Sequence, residues 1–296
     1  MKYKKIYILT PPAVVTGGPE ALFQLSDSIN SQGGYGINLF SSYHENPVPE
    51  EYKKYKTNYE GEQIENSSEN LVIFPEIWAG FVDDVNYNQI NKAIWWLSVD
   101  NGWNREGVNF QTDTIHLYQS YYAEDFLNKK SAKNMLPLFD YLSENYLEEH
   151  QFPQKKNRIC YSIKGQNIAN QLRMYLSNYE FVMIAGMSRL EVIETLKESK
   201  VFIDFGHHPG KDRIPREAAM LKNCVITNRK GAANFSKDVP ILEKYKIEND
   251  DISKMIELIV DCVENYKDKI SDFEDYRLNI IGQKEEFFKQ VKNLIS

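Results

Sequence analysis

Residues 206–220, GHHPGKDRIPREAAM, gather two histidines, a lysine and two arginines into one short turn, followed by a proline and a glutamate. The chain as a whole carries a formal net charge of −7, so this basic cluster stands against the general balance. The run before it, VFIDF, predicts a buried strand, and PREAAMLKN (215–223) predicts a helix opening at Pro215. A helix that begins at the carboxyl end of a strand presents first-turn N–H groups with no intrahelical partner and a partial positive charge. Lys211 and Arg213 add two full charges there, and arginine can grip a phosphate through two parallel bonds. The chemistry this junction fits is the binding of an anion, most simply a diphosphate.

Glu217 falls in the first turn of that helix as the pattern draws it. It either complements the helix dipole, worth roughly 0.3–1 kcal/mol, or accepts hydrogen bonds from a ribose or sugar hydroxyl pair beyond the phosphates. His207 and His208 are adjacent and in a loop point different ways. No further ligand is spaced for a metal, and none is expected. Lys164, in YSIKGQN, stands at the carboxyl end of another strand. It is either an ordinary surface lysine or a phosphate partner on the same edge as Lys211 and Arg213. In TGGPE (16–20), Gly17 and Gly18 allow a ligand close to the backbone at a helix start. The run is not G-x-G-x-x-G, and no acidic residue ends the strand INLF (37–40), as a dinucleotide site requires.

The elements that must position these residues alternate. KIYILT (5–10) is a strand, followed by a glycine turn, a helix with Pro19 at its first position and Leu22, Phe23, Leu25 and Ile29 on its apolar face, then INLF. Residues 44–69 are polar and aperiodic, a surface excursion with one short helix. LVIFPEI (71–77), AIWWLSV (93–99) and IHLYQS (115–120) are further strands, the last leading into a helix. Residues 134–157 are mixed and end in a basic, proline-containing linker. The rhythm then restarts with RICYSI (158–163), EFVMIAG (180–186), KVFIDF (200–205) and CVITN (224–228), separated by helices. One of these, SRLEVIETLKES, carries a capping box of Ser188 and Glu191. From about residue 250 the chain is helical to an amphipathic end, KEEFFKQVKNLI. This predicts an α/β protein of two doubly wound, Rossmann-like domains, residues 1–153 and 154–270. A C-terminal helix, 271–296, packs back on the first domain. Ligands in open parallel sheets lie at the carboxyl ends of strands, so the two glycine and basic loops are expected to face an interdomain cleft.

Composition excludes several classes. With 42 % apolar and 26 % charged residues the chain is an ordinary globular protein, and no apolar run approaches the roughly 20 residues that span a bilayer. MKYKKIYILT resembles a signal peptide only until Pro11-Pro12 breaks it. Cys160, Cys224 and Cys262 are odd in number and widely spaced, which fits neither a disulfide framework nor a zinc site and suits a cytoplasmic protein. The acidic balance excludes nucleic acid as the main partner. KYKK and EEYKKYK read as solvated surface and leave peripheral contact with the inner face of a membrane open.

Most of the chain resembles glycosyltransferases of the two-domain GT-B fold, of the group 1, capsular-polysaccharide type, as a divergent member. The specific part runs from about 180 to 235. FVMIAGMSRLEVIETLKESKVFIDF matches the family's strand–helix–strand, and DFGHHPGKDRIPREAAMLKNCVITNRKGAANF matches its glycine loop, proline, alanine-rich helix and threonine-ended strand. The N-terminal strand, glycine loop and first helix are also similar. The resemblance implies that Glu217 is the second glutamate of a paired motif and holds the donor ribose. It implies that Lys164 meets the donor diphosphate, that Gly17 and Gly18 lie beneath the donor phosphate and sugar, and that GAANF (231–235) closes on the diphosphate. The first glutamate of the pair is replaced by Pro209, and Lys211, Asp212 and Arg213 stand where the family has small and apolar residues.

It further implies transfer of a sugar from a nucleoside-diphosphate sugar to a glycan or lipid-linked acceptor in bacterial polysaccharide assembly, without metal or other cofactor. Asp100, after AIWWLSV and beside Trp103, is the first candidate base, and Glu76, after LVIFP, is the second. His116 opens a strand and reads as a packed or surface histidine. A nucleotide-sugar epimerase or hydrolase on the same fold, or a non-catalytic nucleotide-sugar-binding subunit, would share the donor loop.

Overall fold

In the computed structural model, residues 1–59, 63–102, 104–248 and 251–296 are described. They form two units, Met1–Tyr141 with Gln283–Ser296, and Leu142–Gly282.

The first unit runs β1 (Ile6–Thr10), α1 (Gly17–Ser31), β2 (Gly36–Phe40), β3 (Leu71–Pro75), β4 (Asn91–Trp96), β5 (Ile115–Tyr118), α2 (Tyr121–Lys129) and β6 (Asn134–Pro137). Its six strands pair in the order β2-β1-β3-β4-β5-β6, all parallel. Successive side chains alternate between two apolar layers, as strand geometry requires. Ile6, Ile8, Leu71, Ile73, Ala93 and Trp95 join α1 on one face, while Tyr7, Val72, Phe74, Ile94 and Trp96 join α2 on the other. Sheets covered on both faces read as continuous apolar runs, which is why LVIFP and AIWW were legible as strands. NMLP is a strand as well, a short edge ending in Pro137 where a missing N–H does no harm. Pro19 is the third residue of α1, because the helix begins at Gly17. In the excursion after β2 the expected helix is a single 3-10 turn, Glu50–Tyr52. Its Tyr52 is buried, with its ring 5.0 Å from that of Phe23.

The second unit contains β7 (Lys156–Ser162), α3 (Gln166–Tyr175), β8 (Glu180–Ile184), α4 (Arg189–Glu198), β9 (Ser199–Asp204), α5 (Arg213–Met220), β10 (Cys224–Thr227), α6 (Ile252–Glu264), α7 (Tyr266–Lys269) and the first part of α8 (Glu274–Ile295). Its parallel sheet has the order β10-β9-β7-β8. The capping box of α4 forms as spaced, with Ser188 and Glu191 satisfying each other's backbone N–H. The three cysteines are buried and unpaired by disulfides.

The unit boundaries differ from the sequence expectation. The first falls at Tyr141/Leu142 rather than 153/154, because Leu142 and Tyr146 are buried in the core of the second unit and Leu147 and Phe152 pack on it. Lys155, in the expected linker, donates to the carbonyls of Leu196, Ser199 and Leu221 at 3.1, 2.7 and 2.7 Å. The second boundary lies inside α8, at Gly282/Gln283 rather than 270/271. Tyr276 and Ile280 enter the second core, whereas Phe287, Val291, Leu294 and Ile295 enter the first. Phe287 is fully buried, with its ring 6.3 Å from Trp95 and 5.2 Å from Tyr141. Phe287→Ala is expected to destabilise the first unit by about 3–5 kcal/mol, measured by denaturant unfolding followed through tryptophan fluorescence.

Candidate active site

In the second unit the carboxyl ends of β7 and β9 are tied together by polar side chains. Ser162 ends β7 and donates to Asp204 Oδ1, at the end of β9, across 2.8 Å; the N–H of Gly206 donates to the same oxygen at 3.2 Å. The turn after β7 and the loop after β9 touch here. A Cβ on Gly206 would lie 2.3 Å from Lys164 Cβ, so only glycine permits the approach. Lys164 then donates to the carbonyl of His207 at 3.1 Å and to the carboxylate of Asp212. Gly231, at φ +60°, closes the loop from a third side: a Cβ there would stand 2.0 Å from the carbonyl oxygen of His208, to which Ala232 N–H donates at 2.8 Å.

His208 is fully buried inside this loop. Its Nε2 meets the main-chain carbonyl of Asp204 at 3.4 Å and lies 3.8 Å from Asp204 Oδ1, and its Nδ1 is 3.0 Å from Asp212 Oδ2 but out of line for a hydrogen bond. Burial opposes its charged form, but the two aspartates outweigh burial and hold its pKa above the ordinary histidine value. Asp212 is likewise opposed by burial, and His208 and Lys164 outweigh that and hold its carboxyl below the usual range. Asp204, His208 and Asp212 bring ligand atoms within 4.8 Å of one another, which corrects the expectation that nothing stands near the histidines to share a metal. The carboxylates nevertheless face opposite ring nitrogens, and the Lys164 ammonium sits on Asp212. That arrangement suits a shared proton better than one ion, since a single ring offers a metal only one nitrogen.

Asp212 occupies the N-cap position of α5, yet its side chain does not cap the helix. It is turned to Lys164 and His208 instead, and so does not cap the first N–H groups of α5 with its own carboxylate. Arg213, not Pro215, is the first helical residue. Glu217 therefore lies in the second turn rather than the first, four residues from Arg213 and on the same face. The dipole acts within the first turn, so it does not account for a glutamate here. Arg216 is fully buried and folds back on the loop, donating to the carbonyls of Lys211 at 2.9 Å and Asp212 at 3.3 Å. Lys211 is itself buried, 7 % exposed, rather than projecting from the surface as expected. Of the anticipated basic cluster, Lys164 and Arg213 remain at the helix end with partial exposure.

In the first unit, Gly17 and Gly18 open α1 after Thr16, and a Cβ on Gly18 would meet nothing within 4 Å. Buried polar residues stand at or just past the carboxyl ends of β1, β3, β5 and β6, namely Thr10, Glu76, Gln119 and Asp140, and Asn38 is buried midway along β2. Asn38 donates to Thr10 at 2.9 Å, and Gln119 to Asp140 at 2.6 Å. Glu76 follows β3 and receives the N–H of Leu97 at 3.2 Å. Burial pushes its pKa up to about 7 against those backbone donors. Asp100 is differently placed, with one oxygen on Arg105 at 2.7 Å and the other on Tyr122 at 2.9 Å. A carboxylate held by a guanidinium is a weak base, so the geometry reverses the order of the two candidates. Trp103 lies outside the described residues. His116 is packed, with Trp96 Nε1 donating to it at 3.2 Å and burial lowering its pKa to about 4.

No protein-family model matches the chain, and no curated protein matches it in sequence. Solved structures do match. TarM superposes with a TM-score of 0.74 at 10 % identity, over 99 % of both chains. HepE of Anabaena, in complex with UDP and glucose, gives 0.73 at 9 % identity over 99 % of both. A glycosyltransferase of Rickettsia africae gives 0.68 at 13 % identity, over 99 % of this chain and 97 % of that one. The chain has the GT-B fold. The α5 end belongs to the second unit, and Glu76 and Asp100 belong to the first. Among the described residues, no helix is long and apolar enough to cross a membrane.

Asp204, Asp212 as an ion-pair partner, Asp140 and the inward course of Arg216 were not found by sequence reasoning. The spacing D-x3-H-x3-D from 204 to 212 has no helical meaning, because the residues lie in a loop whose path the sequence does not state.

The raised pKa of Glu76 sets a stability prediction. The native carboxyl binds its proton more tightly than the unfolded one, so wild type should lose stability as pH rises from 4.5 to about 7. Glu76→Gln should remove that loss, a difference on the order of 3 kcal/mol at pH 8, read from urea unfolding of both proteins at pH 5 and pH 8.

Proposed function

We propose that the chain transfers a sugar from a nucleoside-diphosphate sugar to a glycan or lipid-linked saccharide acceptor in bacterial polysaccharide assembly, without a resident metal. The observation that carries this reading is the end of α5: a helix start whose cap residue Asp212 turns its side chain away from the first-turn N–H groups, with Arg213 and Lys164 beside them, at the carboxyl edge of a parallel sheet. A related fold, HepE, was solved with UDP and glucose. The donor diphosphate would lie against the α5 N–H groups. Arg213 would hold it bidentately, and Lys164 would neutralise the charge that develops on the leaving diphosphate. Glu217, one turn along the same face, would take the ribose hydroxyls.

On the acceptor side, Glu76 is the group whose pKa suits proton abstraction near neutral pH, with Asp100 the second candidate. Gly17 and Gly18 would admit the donor or acceptor close to the α1 backbone. Such a site is reached from the cytoplasm, where nucleotide sugars are made, with contact at the inner face of the membrane compatible with a lipid-linked acceptor.

The replacement of a paired-motif glutamate by Pro209 favours a second reading, a binding subunit without turnover. Thermal shift of the full chain in EDTA against UDP, GDP, ADP and their sugars separates the cases. Stabilisation by one base family, lost in Arg213→Glu, is expected, together with acceptor-dependent release of the nucleoside diphosphate. No shift with any nucleotide, or an unchanged shift in Arg213→Glu, would reject the donor site. Release without acceptor would make the protein a hydrolase, and binding without release a binding subunit.

A further inference from the structure

Asp212 presents a conflict at the donor site. It places a carboxylate at the helix end that is to receive a diphosphate, and it already holds Lys164. Asp204 adds a second negative charge at the end of β9, next to the same loop. His208 lies between the two, fully buried, with a different ring nitrogen toward each. The charged groups facing it are Asp204 from β9, Asp212 from the cap of α5 and Lys164 from the turn after β7. The segment after β10 meets it through the backbone of Gly231 and Ala232.

Resting on the donor reading above, we propose that His208 and Asp212 form a proton-controlled gate on the diphosphate site, open to the donor while His208 is an imidazolium bridging Asp204 and Asp212. As imidazolium, His208 turns one N–H to the main-chain carbonyl of Asp204, 3.8 Å from that residue's carboxylate, and the other N–H toward Asp212; its charge offsets one of the two carboxylates, so Lys164 and Arg213 leave the helix end net positive. As neutral imidazole it has a single N–H. One aspartate then faces a lone pair, Asp212 draws more fully on Lys164, and a diphosphate carrying two negative charges meets an uncompensated carboxylate. The balance is one proton: it leaves His208 for solvent as the gate closes, and no other bond changes. Asp212 is a positioning residue here, acting through Lys164.

The test uses UDP-glucose as probe, whose diphosphate does not titrate between pH 5 and 9, with the full chain in EDTA. By calorimetry, the dissociation constant of wild type should rise about tenfold as pH increases from 6 to 8.5. Asp212→Asn should bind at pH 8.5 as tightly as wild type does at pH 6 and lose the pH dependence. His208 should titrate above its ordinary pKa by NMR in wild type and fall in Asp212→Asn, a readout that needs no ligand. In the apoprotein, the stability owed to the bridge should be present below pH 6.5 and disappear as pH rises through the shifted pKa. UDP-glucose binding that does not change with pH would overturn the gate and leave the donor site standing. A lack of binding at every pH by UDP-glucose, GDP-glucose and ADP-glucose alike would overturn both. Stabilisation of wild type but not Asp212→Asn by zinc or manganese would show that the three groups hold a cation rather than a proton, and would overturn the gate alone.

Discussion

The second unit depends on one close contact, the turn after β7 lying directly against the loop after β9. Gly206 makes it sterically possible, since any Cβ there would enter Lys164. The chain Ser162–Asp204–His208–Asp212–Lys164 then closes the contact into a ring that begins at the end of β7 and returns to the turn that follows it. The direction of α5 follows from this ring. Asp212 is both a member of it and the cap residue of the helix, so fixing its carboxylate fixes where the first N–H groups of α5 point. Arg216 secures the other side by bonding to the carbonyls of residues 211 and 212. A site that binds through backbone dipoles requires this rigidity, because dipoles contribute to catalysis only when they are aligned before the charge develops.

The positive charge counted in the sequence of this loop is therefore not the charge it displays. Arg216 is spent on internal carbonyls, Lys211 is buried, and the histidine inside the loop is shared between two aspartates. What stands at the helix end is the partial charge of the N–H groups with Arg213 and the Lys164–Asp212 ion pair. A chain of net charge −7 thus presents positive potential at one helix terminus without a broad basic face. Field is concentrated by geometry at a helix terminus rather than by summing side chains over a surface.

The parts of the fold legible in the sequence were those whose cause is local. LVIFP and AIWW read as strands because both faces of their sheet are covered, and Ser188 with Glu191 read as a cap because the motif closes within four residues. NMLP escaped notice because four half-buried residues at a sheet edge leave no pattern. The unit boundary was misplaced because QFPQKKN has the composition of a linker, whereas Lys155 closes over three carbonyls of the second unit. In the site, the loop and its helix were legible, but the identity of the residues meeting inside the loop was not. Asp204, His208 and Asp212 converge only because the chain turns at Gly206 and is held by Gly231, and sequence spacing carries no information about such a turn.

The two carboxylates of the first unit make the same point in chemical terms. Asp100 and Glu76 both follow central strands and are indistinguishable by position in the sequence. Asp100 meets a guanidinium and a phenol and is held as a charged anchor. Glu76 is sealed beneath the strand ends with backbone N–H groups as its partners, and burial raises its proton affinity toward neutrality. Two acids with nearly equal intrinsic strength are given different surroundings, a guanidinium and a phenol for Asp100 and burial against backbone donors for Glu76, and the second moves toward proton exchange. Which of the two carboxylates moves toward proton exchange is thus set by which one the fold declines to pair with a cation, and here that carboxylate is Glu76.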